Sequence, residues 1–295
     1  MSYIELTLDG HSLGRFDLPD HVRSPFAIYK LNFAALGGGN GVVFNANRMV
    51  GIGTTGEACA IKLLRQQGSA RVDRFNNEVR VMQNLSSPLI AKFHDDGKVV
   101  VSSQTNPLQT QDVRWMAMEL GASNMRQHVE DHGPLPLKAL KRASVEICDA
   151  VNHLHSKGFI HRDIKPENFV WKRESKSLLM IDFGISKRVG EDVSGRPMDT
   201  LTKIREFVGP VFFSSPELIE YAANKKHPVD ERSDIFQVGK VIWFLATGKI
   251  SAGIPSKRDC PAGGKVRDLV VEMIDDDPDS RIQKLSDVKA RLNEA

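Results

Sequence analysis

The chain has 295 residues, 41% of them hydrophobic, and a formal net charge of +3 at pH 7. That length allows a large core at the size where one core divides into two, and the small, sign-mixed charge excludes a dominant nucleic-acid or membrane-surface role. Three well-separated cysteines (Cys59, Cys148, Cys260), no apolar run near the roughly 18 residues of a membrane span, and an N-terminus without a basic-then-apolar leader point to a cytoplasmic protein with reduced thiols.

Residues 3–18 alternate around Asp9-Gly10, which predicts a hairpin, and residues 20–25 read as a connector. Residues 29–44 contain Leu36-Gly37-Gly38-Gly39-Asn40-Gly41 between two β-like stretches. Such glycines let backbone N–H groups approach a phosphate, and they equally suit an ordinary flexible hairpin. Residues 57–64 alternate, with Ala58, Ala60, Lys62 and Leu64 on one face and Cys59, Ile61 and Leu63 on the other. The stretch 71–85 predicts a helix whose apolar stripe of Phe75, Val79, Met82 and Leu85 includes Glu78. A carboxylate on a buried face needs a partner, and Lys62 is the candidate. Residues 98–102 and 113–119 read as strands joined by a polar loop over 103–112, and residues 121–124 interrupt the pattern at a candidate lobe boundary.

A helix is predicted over 137–156, with Leu140, Ala143, Ile147, Val151 and Leu154 on one face and Lys157-Gly158 as its stop. It leads into His161-Arg162-Asp163-Ile164-Lys165-Pro166-Glu167-Asn168, which apolar residues anchor at both ends. An acid that can accept a proton, a cation for phosphate and an amide oxygen for a metal converge there, which suggests phosphoryl transfer. The strand 178–181 ends in Asp182-Phe183-Gly184, whose carboxylate would suit a metal. His153 and His155 fall on different helix faces and read as structural residues. Residues 185–207 read as a long polar loop, and Ser215-Pro216-Glu217 precedes a helical stretch. Asp234 heads an apolar helix through Leu245, residues 248–264 read as mostly irregular, and helices are predicted over 266–275 and 285–293.

In this order and spacing the pieces resemble the eukaryotic-type (Hanks-type) protein kinase family, serine/threonine-specific branch, over residues 27–295. The resemblance implies an α+β, bilobal fold with a β-hairpin extension at 1–26, a small, mainly β lobe at 27–119 and a larger, mainly α lobe at 120–295. It also implies ATP and Mg²⁺. Gly38, Gly39 and Gly41 would cover the phosphates, and Lys62 would hold the α- and β-phosphates with Glu78 as its ion-pair partner. Asp163 would orient the substrate hydroxyl and accept its proton, Lys165 would neutralise the transferred group, and Asn168 and Asp182 would bind Mg²⁺. Leu36, Val43, Ala60, Val170 and Ile181 would sandwich the adenine, with Met118 behind it and the backbone of Glu119 and Gly121 on its edge. His161 would pack beneath Phe183, Glu217 would pair with Arg281, and Asp234 would brace the catalytic loop.

Protein substrates carrying Ser or Thr are the implied partners, with autophosphorylation in 185–207 and no nucleic acid or membrane. Three departures stand out: the glycine loop fits G-x-G-x-x-G imperfectly, Pro210 replaces a threonine, and the region before Val266 is short. Arg162 is similar to arginines that pair with an activation-segment phosphate. Thr200 and Thr202 are candidate acceptors, and Glu206 would supply a built-in charge. The alternatives are a pseudokinase or scaffold, which the intact Lys62, Glu78, Asp163, Asn168 and Asp182 argue against, and a small-molecule kinase, against which stands the activation segment ending at Glu217.

Overall fold

Apolar residues recur with a period of two through most of the first 120 positions, and this stretch folds mainly as one antiparallel sheet. The computed structural model describes residues 3–35, 41–51, 56–175, 177–188, 210–224, 229–251, 255–256 and 260–294. They fall into two compact units, Met1–Ser86 with Ala91–Gly121, and Ser87–Ile90 with Ala122–Ala295.

In the first unit, β1 (Tyr3–Leu8), β2 (His11–Asp17), β3 (His21–Arg23), β4 (Ile28–Ala35), β5 (Gly41–Met49), β6 (Glu57–Leu64), β7 (Phe93–Ser103) and β8 (Thr110–Glu119) line up as β1-β2-β7-β8-β6-β5-β4-β3. One cluster takes Ile4 and Leu6 from β1, Val22 from β3, and Ile61, Leu63 and Trp115 from the middle of the sheet. The two ends therefore share a core, and the sheet curls around it. Asp95 ties the curl by accepting from Ser24 Oγ and from the Tyr29 hydroxyl. The strands β7 and β8 run longer than their apolar residues predict, because their outward positions are polar: Lys98 pairs with Arg114 and Val100 with Asp112. On the opposite face α1 (Ser69–Gln83) buries Phe75, Glu78, Val79, Val81 and Met82.

The second unit is mainly helical: α2 (Met125–His132), α3 (Leu137–Ser156), α4 (Pro216–Asn224), α5 (Glu231–Thr247), α6 (Gly264–Met273) and α7 (Leu285–Glu294). The apolar face of α3 is buried, and α3 packs on α5 and α7. Every residue of α5 from Ser233 to Thr247 is buried, the polar Asp234, Gln237 and Lys240 included, so these side chains need partners inside the unit. The short strands β9 (Gly121–Asn124), β11 (Phe169–Lys172) and β12 (Leu178–Met180) form a sheet in the order β12-β11-β9, and β10 (Phe159–Ile160) pairs with β13 (Lys187–Arg188). The predicted interruption at 121–124 is thus a strand.

All three cysteines are free and buried, and burial pushes the Cys59 and Cys148 thiols up to about 12. Among the described residues no helix is long and apolar enough to cross a membrane.

Candidate active site

Strand register sorts the candidate residues of the first unit. Directly opposed residues share a sheet face, and Val43 opposes Lys62 while Ala60 opposes Met118. Val43, Ala60, Lys62 and Met118 therefore stand on the face turned away from the core that takes Cys59, Ile61 and Leu63. Gly41 begins β5, where an added Cβ would lie 2.7 Å from Leu63 O, so the strand approaches its neighbour as only glycine permits. Glu119, at the end of β8, donates its N–H to Lys92 O at 2.8 Å. Gly121 opens β9.

Lys62 Nζ donates to both oxygens of Glu78 at 2.7 Å. Their side chains are 14% and 3% exposed. Burial in a site this dry makes each charge depend on the other.

The second unit assembles the other candidates through a hairpin and a loop. Phe169 opposes Met180, and Ile181 N–H donates to Asn168 O at 2.8 Å. Asn168 thus sits just before β11, and Asp182 just after the end of β12, at the same end of one hairpin. Val170 and Ile181 lie on that hairpin beside them. Lys165 Nζ reaches Asp163 Oδ2 at 2.7 Å, while Asn168 Nδ2 donates to Asp163 O at 2.7 Å and to its Oδ2 at 3.3 Å. The planar amide of Asn168 then turns its Oδ1 away from Asp163. Among the described residues nothing donates to Asp163 Oδ1. Burial pushes the Asp163 carboxyl up and the Asp182 charge adds to this, while Lys165 pulls against both. Burial acts to lower Lys165, and the neighbouring Asp163 and Asp182 more than reverse it, so its ammonium stays charged above its ordinary range.

Two of these residues carry strained backbone. Arg162 and Asp182 have φ of 69° and 66°, a left-handed conformation that costs about 1–3 kcal/mol for a side-chain-bearing residue and clusters at functional sites. What holds Arg162 there comes from α5. Asp234 accepts from His161 N at 2.8 Å, Arg162 N at 2.9 Å and His155 Nε2 at 2.8 Å. Gln237, one turn on, accepts from Ile164 N at 3.0 Å and donates to Arg162 O at 3.2 Å. Burial alone would raise Asp234, but the bond from His155 and the surrounding donors hold its carboxyl below the usual range. Gln237 is absent from the predicted set, although a lone amide three residues after Asp234 in an apolar helix is a visible signal.

His161 packs on Phe183 with ring centroids 5.3 Å apart, and burial holds its imidazole below its ordinary value. The neutral ring accepts from Asp163 N at 3.3 Å, which helps to fix the backbone of the loop at Asp163. Glu217 takes two bonds from Arg281, at 2.8 and 3.2 Å. A pair absent from the predicted set joins Arg126 of α2 to Glu167 in the loop. Leu36, Gly38, Gly39, Thr200, Thr202 and Glu206 lie outside the described residues.

Residues 34–289 match the family model described as the protein kinase domain. A probable serine/threonine-protein kinase of Corynebacterium efficiens is 28% identical over 225 residues, 75% of this chain and 31% of that protein. The serine/threonine-protein kinase PknB of Mycobacterium leprae is 24% identical, over 74% of this chain and 35% of that protein. The serine/threonine-protein kinase PkaA of Streptomyces coelicolor is 29% identical, over 67% and 33%. The chain thus spans about a third of the length of these curated relatives.

Proposed function

The chain belongs to the protein kinase family, and on that premise we propose that it transfers the γ-phosphoryl group of ATP to Ser or Thr hydroxyls of protein substrates. The observation that carries this is Asp163: an acid with one oxygen held by Lys165 and Asn168, and the other open to an incoming hydroxyl. The hydroxyl oxygen forms a bond to the γ-phosphorus as the bond from that phosphorus to the β-phosphate oxygen breaks. The hydroxyl proton passes to Asp163, and ADP leaves. Lys165 offsets negative charge on the transferred group, and Lys62, oriented by Glu78, takes the α- and β-phosphates. On the sheet face that carries Lys62, Val43, Ala60 and Met118 supply apolar surface for the adenine, with the backbone of Glu119 and Gly121 on its edge.

The donor set suits Mg²⁺. One carboxylate, Asp182, and one amide oxygen, Asn168 Oδ1, stand at one hairpin end. Among the described residues no cluster of three or more His, Cys, Asp or Glu side chains could hold a metal on its own. Magnesium binds in that way, through one or two protein oxygens plus phosphates. When bound it would screen the phosphate charge, and Asn168 and Asp182 are the residues that would hold it.

The test is phosphate transfer from ATP with Mg²⁺ to a generic protein substrate by the purified chain, beside Asp163→Ala and Lys62→Ala. Transfer by the native chain and its loss in both variants is the expected result. Nucleotide binding with no transfer by the native protein would sink the reading in favour of a scaffold.

A further inference from the structure

The turn joining β1 to β2 reaches beyond its own hairpin. Thr7 N donates to Arg65 O at 3.1 Å, and Gln67 N donates to Thr7 O at 2.8 Å, forming a short parallel bridge between Thr7 and Gln66. The β1–β2 register shifts between Leu6 and Thr7, at the residue that takes this second partner, as a bulge re-aims a strand. Residues 65–68 are the whole connection from β6, which carries Lys62, to α1, which carries Glu78.

Gly68 ends that connection. It is buried, and a Cβ placed on it would overlap the Asp9 carboxylate. Its φ of −62° is open to any residue, and the atom a Cβ would overlap is Oδ1, the end of the exposed Asp9 side chain, which therefore lies directly against the connection. The start of α1 has no side-chain cap and no acid in its first turn, so nothing on the helix itself fixes where it begins.

We propose that the N-terminal hairpin is a positioning clamp for α1, gripping residues 65–68 so that Glu78 stays against Lys62. The clamp rests on the phosphotransfer reading above, and Thr7, Asp9 and Gly68 are positioning residues that act through Glu78. The physical case is one of tolerance. A hydrogen bond of 2.7 Å is lost with a shift of about 1 Å, so the link that sets where α1 begins has to be held as closely as the packed face of the helix. Parting the pair would strand Glu78 without its cation, so the position of α1 and the ion pair form one switchable element.

The experiment uses the full chain. Gly68→Ala adds a methyl that displaces the Asp9 carboxylate from the connection, and Asp9→Gly, which suits the positive φ of 48° at that position, makes room for it. Gly68→Ala is expected to lower kcat about five- to tenfold with little change in KM for the protein substrate. Asp9→Gly combined with Gly68→Ala should restore the rate, and Gly68→Ala should add no further loss to Glu78→Gln. Native kcat in Gly68→Ala would overturn the clamp, as would a loss that Asp9→Gly does not repair or one that persists undiminished in Glu78→Gln. If the native chain transfers no phosphate, the phosphotransfer reading fails by itself, and the clamp is then judged by amide exchange along α1. Exchange there should be faster in Gly68→Ala and return to the native rate in the double variant; unchanged exchange would overturn the clamp. Should Gly68→Ala fold poorly, Thr7→Pro, which deletes the donor to Arg65 O, is measured alone and combined with Glu78→Gln: lowered kcat with no added loss in the combination is expected, and native kcat would overturn the clamp.

Discussion

Asp163 must be ionised to accept a proton, in a place where burial favours its neutral form, and Lys165 is the residue that eases this conflict. Replacing Lys165 with Met removes the main influence pulling the Asp163 carboxyl down. The acidic limb of the kcat/KM profile should therefore move to higher pH, and kcat should fall about a hundredfold or more through lost charge stabilisation. A pH profile that keeps its acidic limb in place would show that Lys165 does not govern Asp163. The identity and spacing of Asp163, Lys165 and Asn168 are legible in the sequence because all three lie within six residues of chain. Gln237 shows only as a lone amide in an apolar helix; that it recognises backbone groups of Arg162 and Ile164 depends on a left-handed φ that no side-chain pattern encodes.

The helix α5 supports the loop by presenting Asp234 and Gln237 from one face. In Asp234→Asn one acceptor oxygen remains and an NH₂ group confronts backbone donors, so stability should drop by about 3 kcal/mol and kcat with it. The sign of the pH dependence follows from the depressed folded value of Asp234. Its contribution is present above the ordinary carboxylate pKa of about 4 and lost as pH falls through the lower folded value. Denaturant midpoints of native and variant chains should accordingly converge at acid pH. Between α4 and the segment before α7, Arg281 has a fully buried side chain against Glu217 at 13% exposure. Arg281→Met leaves that carboxylate without its cation and should cost about 3–5 kcal/mol, read from the same midpoints. Helical periods showed α3 and α5 plainly, since each repeats over four turns or more. The ends of β7 and β8 beyond 98–102 and 113–119 are hidden by polar exposed residues such as Asp96 and Asp112, which hold their place through pairing and not through burial.

At the scale of the molecule, residues 3–23 are part of the first unit's core, contributing Ile4, Leu6, Phe16, Leu18 and Val22. Losing even two such side chains at about 2–5 kcal/mol each approaches the whole stability of a typical domain. A chain lacking residues 2–23 should therefore show no rise in melting temperature on adding ATP while keeping its helical circular-dichroism signal; a truncated chain that still binds ATP would place these strands outside the functional fold. The alternation around Asp9-Gly10 announced a hairpin, but no local pattern could say that its strands join the sheet beside β7, a pairing between residues far apart in sequence. The cysteines, spread over both units, have a practical consequence. With Cys59, Cys148 and Cys260 all buried and the first two thiols held near 12, the native chain offers almost no thiolate to an alkylating dye at neutral pH. A cysteine introduced at Asn76, exposed on α1, would then be the single fast-labelling site, and a fluorophore there would report the movement of that helix against a dark background.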